Sequence, residues 1–394
     1  MAGSASMCAA IKKAFSIGGA YEFEASSMPL VCGTPTEPFV VSIVDDATAL
    51  PAAFDTPQKC GTNADGCRLA FDLGKSDIKV AAVQDGEVIY SSETEWDVTN
   101  PDPQYHYDAI LSAMLKGKEA LPRVDAIGGS ATGTVSAASE ATWCDLFPNV
   151  PPDVYKSRVV DIFVRLAKAV AGDVPLKVIN DGEVTALAAV AKIKSGHVLG
   201  ISMGSSEGGG YANADGDLMG WINEMCYVRL DFNPSAPTDP WTKGKHTGIS
   251  HMYLGQRGAT KLAGRSGIEV PENLKYPHSD MCTIRHEPHA QCLKLIQAAM
   301  KDPSKRDQAR DIYVTLGVYL GYALAQYAEF YRIDHVMILG RVSKGAGRDL
   351  MLQTAQRVLE TEFPEQPAIT FHTADDHFKA VGQCIAAASL PTIV

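Results

Sequence analysis

The segment Pro175–Val190 reads PLKVINDGEVTALAAV and changes from a strand pattern to a helix pattern near its middle. Its first five residues predict a short strand, and the alanine-rich run from Thr185 predicts a helix. The amide of Asn180 and the carboxylate of Asp181 stand between them, at the carboxyl end of the strand, where α/β folds bind ligands. Asp181 is therefore a candidate general base, and capping of the following helix is the alternative.

Two other segments repeat one pattern, in which a strand, a glycine-rich turn and further strands are followed by helical sequence. The first spans residues 69–92 and predicts a three-stranded meander. In the second, a strand at 198–202 precedes Met203–Gly210, which we interpret as a glycine-rich turn, and a hairpin follows from Tyr211. The repeat predicts two similar lobes facing a cleft.

Composition limits the classes of function. The chain has 394 residues, of which 46% are hydrophobic and 21% charged, enough for two soluble domains. A net charge of -11 argues against nucleic-acid binding, which needs clustered Lys and Arg. No apolar run approaches the roughly 20 residues of a membrane span. Nine cysteines predict reduced thiols, and the first residues lack a secretory signal, so we expect a cytoplasmic protein, with organelle targeting left open.

The domain boundaries follow from these patterns. Residues 1–66, which include the strand-like run Pro38–Val44, predict an N-terminal extension that wraps around the main body or pairs with it. Residues 67–191 form the predicted small lobe, with a helix at about 378–394 packing back on it. Residues 192–377 form the large lobe, which includes a long predicted helix from Arg306 to Tyr331.

Three glycine turns carry the chemistry that the sequence suggests. Glycine lets the backbone approach a phosphate, and N–H groups and hydroxyls can bind its oxygens. For the first turn, an ordinary hairpin turn is the alternative. The candidate phosphate-binding residues are Asp72, Gly74, Lys75, Ser76 and Lys79 in the first turn, Gly204, Ser205, Ser206, Gly208 and Gly209 in the second, and Gly340, Arg341 and Ser343 in the third.

In this order the motifs resemble the actin, sugar kinase and heat-shock ATPase superfold, and within it the ROK family of sugar kinases, over about residues 67–390. The resemblance implies an α/β fold of two ribonuclease-H-like lobes, with mixed five-stranded sheets and helices, around a central cleft. It implies ATP as a substrate, Mg²⁺ held through water by Asp72, and a homodimer or higher homo-oligomer. No nucleic acid or membrane partner is expected.

The resemblance also assigns roles to single residues. Asp181 falls where the family keeps its catalytic carboxylate and Asn180 where it keeps a sugar-binding amide. The other predicted sugar-pocket residues are Gly129, Ser130, Thr132, Asp145, Glu224, Tyr227 and Lys261. The implied reaction is transfer of the γ-phosphoryl group of ATP to a sugar hydroxyl, as in hexokinases and glucokinases.

Some positions depart from the family pattern. Lys75 replaces a second glycine, Tyr227 replaces a histidine, and Lys261 replaces a sugar-binding glutamate. The family's closely spaced zinc cysteines are absent. These departures keep open an alternative: a sugar- or nucleotide-binding protein with little or no turnover, acting as a scaffold or subunit. A transcriptional regulator is a third class, but the extension has no convincing helix-turn-helix pattern.

A second group of possible metal ligands lies further along the chain. Cysteine and imidazole side chains can bind zinc together, and four of them are close in sequence: Cys282, His286, His289 and Cys292. Their spacing is not that of a common zinc motif, and Pro288 interrupts any helical face. A surface loop is the favoured interpretation, and zinc is not expected.

Overall fold

The chain folds into two compact units. The computed structural model describes residues 1–31, 37–52, 57–59, 61–144, 146–239, 246–270, 286–374 and 376–393. The first unit comprises Met1–Pro57, Asn63–Asn180 and Ala387–Val394, and the second comprises Gln58–Thr62 and Asp181–Ala386. The chain therefore passes from one unit to the other between the two residues of the Asn180-Asp181 pair.

The first unit is built on a mixed sheet. Its strands are β1 (Cys67–Leu73), β2 (Asp77–Gln84), β3 (Glu87–Glu95), β4 (Ala126–Ala131) and β7 (Leu176–Asn180), in the order β3-β2-β1-β4-β7. The β1–β2 and β2–β3 pairs are antiparallel, whereas β4 runs parallel to both β1 and β7. A two-stranded ribbon, β5 (Thr134–Val135) and β6 (Ala141–Trp143), follows β4. The carboxyl ends of β1, β4 and β7 therefore share one edge of the sheet.

Five α-helices belong to this unit in the described residues. They are α1 (Ala5–Ala14), α2 (Glu22–Val31), α3 (Pro103–Glu119), α4 (Pro152–Arg158) and α5 (Ile162–Ala171). Two of them, α3 and α5, pack on the sheet. Every residue of β1 is buried, and its apolar side chains pack with those of α3 and α5 in one core. In the extension, Phe23 of α2 makes an edge contact with Trp143 of β6. The extension also contacts the first unit near its end, where Asn63 donates to the carbonyl oxygen of Ser389 and Asp65 accepts from Arg68. Residues 37–46 form no strand.

The second unit has a sheet of four strands in the described residues. They are β8 (Val198–Met203), β9 (Glu207–Ala212), β10 (His335–Leu339) and β11 (Thr370–Thr373), in the order β11-β10-β8-β9. The β8–β9 pair is antiparallel, and β10 runs parallel to both β8 and β11. The helices are α6 (Asp181–Ile193), α7 (Gln256–Arg265), α8 (His286–Ala299), α9 (Arg306–Tyr327), α10 (Ala346–Glu362) and α11 (Asp376–Ala388). The α7–α10 helices share one apolar core with β8 and β10.

This architecture confirms the predicted α/β fold class of two ribonuclease-H-like units, and it corrects some local predictions. The run Pro38–Val44 was expected to be strand-like and is not a strand. The predicted glycine-rich turn Met203–Gly210 is a turn only at residues 204–206, since Glu207–Gly210 belong to strand β9. The long helix α9 ends at Tyr327 and not at Tyr331.

Two further observations concern the whole described chain. None of its described helices combines the length and the apolar character needed to cross a membrane. Six cysteines lie in the described residues as buried free thiols: Cys8, Cys67, Cys144, Cys226, Cys292 and Cys384. Their burial is consistent with the thiols being packing residues.

Candidate functional site

In the first unit, a three-residue turn joins β1 to β2 and carries the first group of predicted phosphate-binding residues. Gly74, Lys75 and Ser76 form the turn, which Gly74 closes by donating its N–H to the carbonyl oxygen of Asp77 at 3.0 Å. A Cβ added to Gly74 would meet no described atom closer than 3.7 Å. Packing in the protein therefore does not require glycine at position 74. Close approach of a ligand to the backbone is a reason for glycine there.

Asp72 lies just before this turn and is already hydrogen-bonded within the protein. It is 4% exposed, and its Oδ1 accepts a hydrogen bond from the Ser130 hydroxyl at 2.7 Å. Its Oδ2 lies 3.3 Å from the ammonium of Lys79, which also lies 3.5 Å from Asp77. The predicted residues Asp72, Lys79 and Ser130 are thus brought together. Because both oxygens of Asp72 have partners, the carboxylate suits a magnesium-bound water better than the ion itself.

The remaining predicted sugar residues of the first unit lie in β4, follow it, or end β7. Asn180 donates its side-chain N–H to the carbonyl oxygen of Gly133 at 2.8 Å and so holds the loop after β4. The Thr132 hydroxyl lies 3.4 Å from the carbonyl oxygen of Leu73. Gly129 faces the core, because a Cβ there would lie 2.3 Å from the Phe71 ring. Asp145 lies outside the described residues.

In the second unit, Asp181 begins helix α6 beside strand β9. Its Oδ1 accepts the N–H of Gly182 at 3.0 Å and lies 3.9 Å from the position of a Cβ on Gly208. The contact is close because glycines face each other: a Cβ on Gly182 would lie 2.2 Å from the carbonyl oxygen of Gly209. A Cβ on Gly210 would in turn lie 2.2 Å from the carbonyl oxygen of Gly182. Gly182 and Gly210 are therefore required by packing, whereas Gly208 faces the carboxylate of Asp181.

The second and third glycine turns meet at the end of β8. The turn residues Gly204 to Ser206 are closed by the Gly204 N–H, which donates to the Ser206 carbonyl oxygen at 2.9 Å. A Cβ on Gly340 would lie 2.4 Å from the carbonyl oxygen of Met203, which accepts the N–H of Val342 at 3.1 Å. The structure therefore brings the predicted residues of the second turn next to those of the third.

Two of these turns are also held by neighbouring helices. Helix α7 begins beside the second turn, since the N–H of Gln256 donates to the carbonyl oxygen of Gly204 at 2.9 Å. In the third turn, the Ser343 hydroxyl donates to the carbonyl oxygen of Gly340 at 3.0 Å. Gln297 of α8 donates to the carbonyl oxygen of Arg341, an exposed residue, at 3.0 Å. These contacts fix the backbone of both turns.

Glu207, directly after the second turn, is buried in a polar cluster that sequence reasoning missed. It is 3% exposed, its Oε2 accepts a hydrogen bond from Ser250, and its Oε1 accepts the Tyr327 hydroxyl at 2.9 Å. Burial raises the pKa of the Glu207 carboxyl to about 7, the two hydrogen bonds oppose this, and Glu224 adds to it. One signal was present in the sequence: Glu207 is the acidic residue within the glycine-rich run.

The predicted sugar-pocket residues of the second unit belong to two groups. Glu224 accepts a hydrogen bond from the Cys226 thiol at 3.3 Å, and its charge acts on Glu207. Tyr227 packs against the small apolar cluster that contains Tyr253. The Lys261 ammonium lies 5.1 Å from the centre of the Tyr253 ring, which suits a cation–π contact.

The environment of Lys261 affects its charge. Burial lowers the pKa of the Lys261 ammonium, Arg265 adds to this, and Asp231 opposes it. Asp231 also accepts the Tyr253 hydroxyl at 2.5 Å. The Lys261 ammonium therefore lies over an aromatic ring of the protein and within the electrostatic influence of the Asp231 carboxylate.

The group of possible zinc ligands is only partly described. Cys282 and the side chain of His286 lie outside the described residues. His289 Nδ1 lies 3.2 Å from the Thr260 hydroxyl, and burial lowers the pKa of His289 to about 4, with Arg257 adding to the effect. Burial raises the pKa of the Cys292 thiol. Among the described residues no three His, Cys, Asp or Glu side chains form a metal-binding group.

Comparisons with known proteins identify the fold. No protein-family model and no curated protein sequence matches the chain. Among solved structures, a ROK-family glucokinase from Streptomyces griseus, in complex with glucose and AMPPNP, aligns with a TM-score of 0.61 at 21% identity over 82% of this chain and 98% of that chain. A ROK hexokinase from Thermus thermophilus aligns with a TM-score of 0.58 at 17% identity, over 82% of this chain and 97% of that one.

A non-enzymatic class shares the fold. A ROK-family transcriptional regulator, a homolog of the E. coli MLC protein, aligns with a TM-score of 0.59 at 17% identity over 83% of this chain and 78% of that chain. At such identities the likenesses show the fold alone. The chain thus has the fold of the ROK-family sugar kinases, which confirms the resemblance seen in the sequence.

Proposed function

We propose that this protein is an ATP- and magnesium-dependent kinase that phosphorylates a sugar hydroxyl, with Asp181 as general base. The supporting observation lies within the second unit. The Asp181 carboxylate is adjacent to Gly208 of strand β9, which follows the Gly204–Ser206 turn, and the Gly340 turn meets that turn at Met203. A proton acceptor beside glycine turns is the arrangement that phosphoryl transfer to an alcohol requires.

Both hairpin turns have features that suit phosphate oxygens. Gly74 and Gly204 have no positive φ, and a Cβ on either would meet only ordinary contacts, at 3.7 and 3.8 Å. Neither glycine is needed by the fold, so close approach of a ligand to the backbone supports their presence. Backbone N–H groups and the hydroxyls of Ser76, Ser205 and Ser206 would bind the phosphates.

Asp72 would hold a water of magnesium, because each oxygen of its carboxylate has one protein partner, Ser130 or Lys79, and keeps a second lone pair for another donor. A magnesium ion held there would supply positive charge to neutralise the charge that develops on the phosphate oxygens. Lys79, 3.3 Å from Asp72, balances the carboxylate when the ion is absent.

In the proposed reaction, Asp181 is the residue that accepts the proton. The sugar hydroxyl oxygen forms a bond to the γ-phosphorus, the bond from that phosphorus to the β–γ bridging oxygen breaks, and ADP leaves. The hydroxyl proton passes to the Asp181 carboxylate. Helix α6 begins at Asp181, so its amino-terminal N–H groups stabilise the ionised form that accepts the proton. Asn180 and Glu224 would hold other hydroxyls of the sugar.

The first experiment measures ADP release with a panel of neutral, aminated and anionic sugars. Asp181→Asn should lower turnover at least about a hundredfold, since the proton acceptor is lost, while nucleotide binding stays close to that of the unmodified protein. Glu183→Gln, which removes a carboxylate from the same helical turn, is the matched control and should retain turnover. Full activity of Asp181→Asn would refute the assignment.

The same panel tests the alternative of a binding protein. No turnover with any sugar, together with clear thermal stabilisation by ATP or by a sugar, would favour a binder over a kinase. Lys261→Glu restores the carboxylate that the family resemblance implies, so a shift of preference toward neutral sugars in this variant would assign Lys261 to sugar selection. Homo-oligomerisation and a cytoplasmic location belong to the same proposal and are tested by light scattering and by imaging of the tagged protein.

A further inference from the structure

A series of hydrogen-bonded polar side chains begins at the Gly204–Ser206 turn, within the second unit. The Ser206 hydroxyl lies 2.5 Å from Nδ1 of His251, and Nε2 of that ring lies 3.0 Å from Nη1 of Arg257. His251 is 2% exposed and Arg257 is 1% exposed, whereas Ser206 is half-buried at the turn. Two buried ionisable side chains, Arg257 and His251, are therefore linked in series by hydrogen bonds to the Ser206 hydroxyl, which belongs to the predicted phosphate site.

The hydrogen-bonding chemistry of arginine determines which ring nitrogen of His251 carries the proton. A guanidinium only donates hydrogen bonds, so Nε2 of His251 must accept the hydrogen bond from Arg257. The ring is then neutral with its proton on Nδ1, and the Nδ1–H donates to the Ser206 oxygen. Asp239 does not reverse this assignment, because its Oδ1 lies 3.7 Å from Nε2, beyond hydrogen-bonding distance.

The consequence concerns the proton of Ser206. Since its oxygen accepts from His251, the serine O–H must point elsewhere. The carbonyl oxygen of Glu207 lies 3.4 Å away, which is long for an O–H···O hydrogen bond. An anionic oxygen placed at the turn would be a better acceptor, because hydrogen bonds to charged groups are shorter and stronger.

We propose that His251, held in its Nδ1–H tautomer by Arg257, is a positioning residue that directs the Ser206 O–H toward a phosphate oxygen of the nucleotide. The inference rests on the proposed function, because it takes the turn to be a phosphate site. His251 acts through Ser206 and touches no substrate. Its loss should weaken nucleotide binding and leave sugar binding unchanged.

The test is a double-mutant cycle read by titration calorimetry with the non-hydrolysable analogue AMPPNP. Ser206→Ala and His251→Ala should each raise the Kd about tenfold, which corresponds to about 1.4 kcal/mol, and the double variant should be no weaker than either one. His251→Asn, whose amide can donate from nearly the position of Nδ1, should recover most of the affinity. Losses that add in the double variant, or no recovery with asparagine, would overturn the proposal.

A second measurement needs no substitution of the histidine. Histidine ¹⁵N shifts distinguish the two neutral tautomers and the imidazolium, and the His251 signal is the one that moves in Ser206→Ala. An Nδ1–H tautomer is expected, and an Nε2–H tautomer or an imidazolium would overturn the proposal. Binding of the analogue without phosphorylation of any sugar would refute only the proposed function, whereas no binding of the analogue would refute both.

Discussion

Replacing Glu207 by glutamine should change how the stability of the protein depends on pH. The carboxyl is buried and hydrogen-bonded to Ser250 and Tyr327. Glutamine keeps the size of the side chain and can both donate and accept hydrogen bonds, but it cannot ionise. The difference in unfolding free energy between the two proteins therefore isolates the cost of ionising Glu207 in its buried position.

The size and sign of that difference follow from the pKa. Burial raises the pKa of Glu207 from its usual 4.5 to about 7 in the folded protein. As the pH rises from 4.5, the unfolded chain loses its proton first, so folding becomes less favourable until the folded protein also ionises near pH 7. The total loss is about 3 kcal/mol, at about 1.4 kcal/mol for each pH unit.

Urea unfolding of both proteins at pH 5, 6, 7 and 8 measures this loss. Relative to Glu207→Gln, the unmodified protein should lose stability steadily from pH 5 to about 7 and then no further. Glu119→Gln, which changes an exposed carboxyl at the end of helix α3, is the control and should leave the profile unchanged. A constant difference between Glu207→Gln and the unmodified protein, or a loss that grows toward low pH, would refute the reasoning.

Three further substitutions test the packing and the site. Gly204→Ala fits without strain and should leave stability unchanged or raise it by up to about 1 kcal/mol in urea unfolding, while calorimetry shows weaker AMPPNP binding; unchanged binding would remove Gly204 from the site. Gly182→Ala places a Cβ 2.2 Å from the Gly209 carbonyl oxygen, so it should cost several kcal/mol of stability, and a neutral effect would contradict the packing. Arg68→Met removes hydrogen bonds to the carbonyl oxygens of Ala388 and Pro391 and should lower the urea midpoint by the equivalent of about 3 kcal/mol; a stable variant would show that those bonds are dispensable.

The sequence predicted those parts of the fold that local pattern determines. The meander of β1–β3, the strand before Asn180 and the helix after Asp181 all follow from hydrophobic periodicity and turn residues. The fold class and the family resemblance were correct because several motifs agreed in their order. The roles of the predicted site residues remain predictions that the proposed substitutions test.

The predictions of local structure that were wrong failed because contacts between distant segments, and not the local sequence, determine the structure at those positions. Pro38–Val44 has the composition of a strand, but a strand needs another strand to pair with. In the described residues its backbone makes hydrogen bonds with Met1, and no strand pairs with it. Gly208–Gly210 looked like a turn because glycine is common in turns. Gly210 instead allows β9 to approach helix α6 at Gly182, a contact between segments that the sequence separates. Burial of Glu207 and His251 depends on such long-range contacts too.

The hydrogen bonds of Arg68 affect the order in which the chain can complete its structure during translation. Arg68 lies in the first strand of the first unit, yet two acceptors of its guanidinium are carbonyl oxygens of residues 388 and 391. A ribosome makes those residues only after the whole of the second unit. A nascent chain that has reached residue 180 therefore lacks these two acceptors, and Asp65 is the acceptor that Arg68 then has nearby in the sequence. The first unit must wait in a less stable form until segment 387–393 emerges, a period in which a chaperone could bind it.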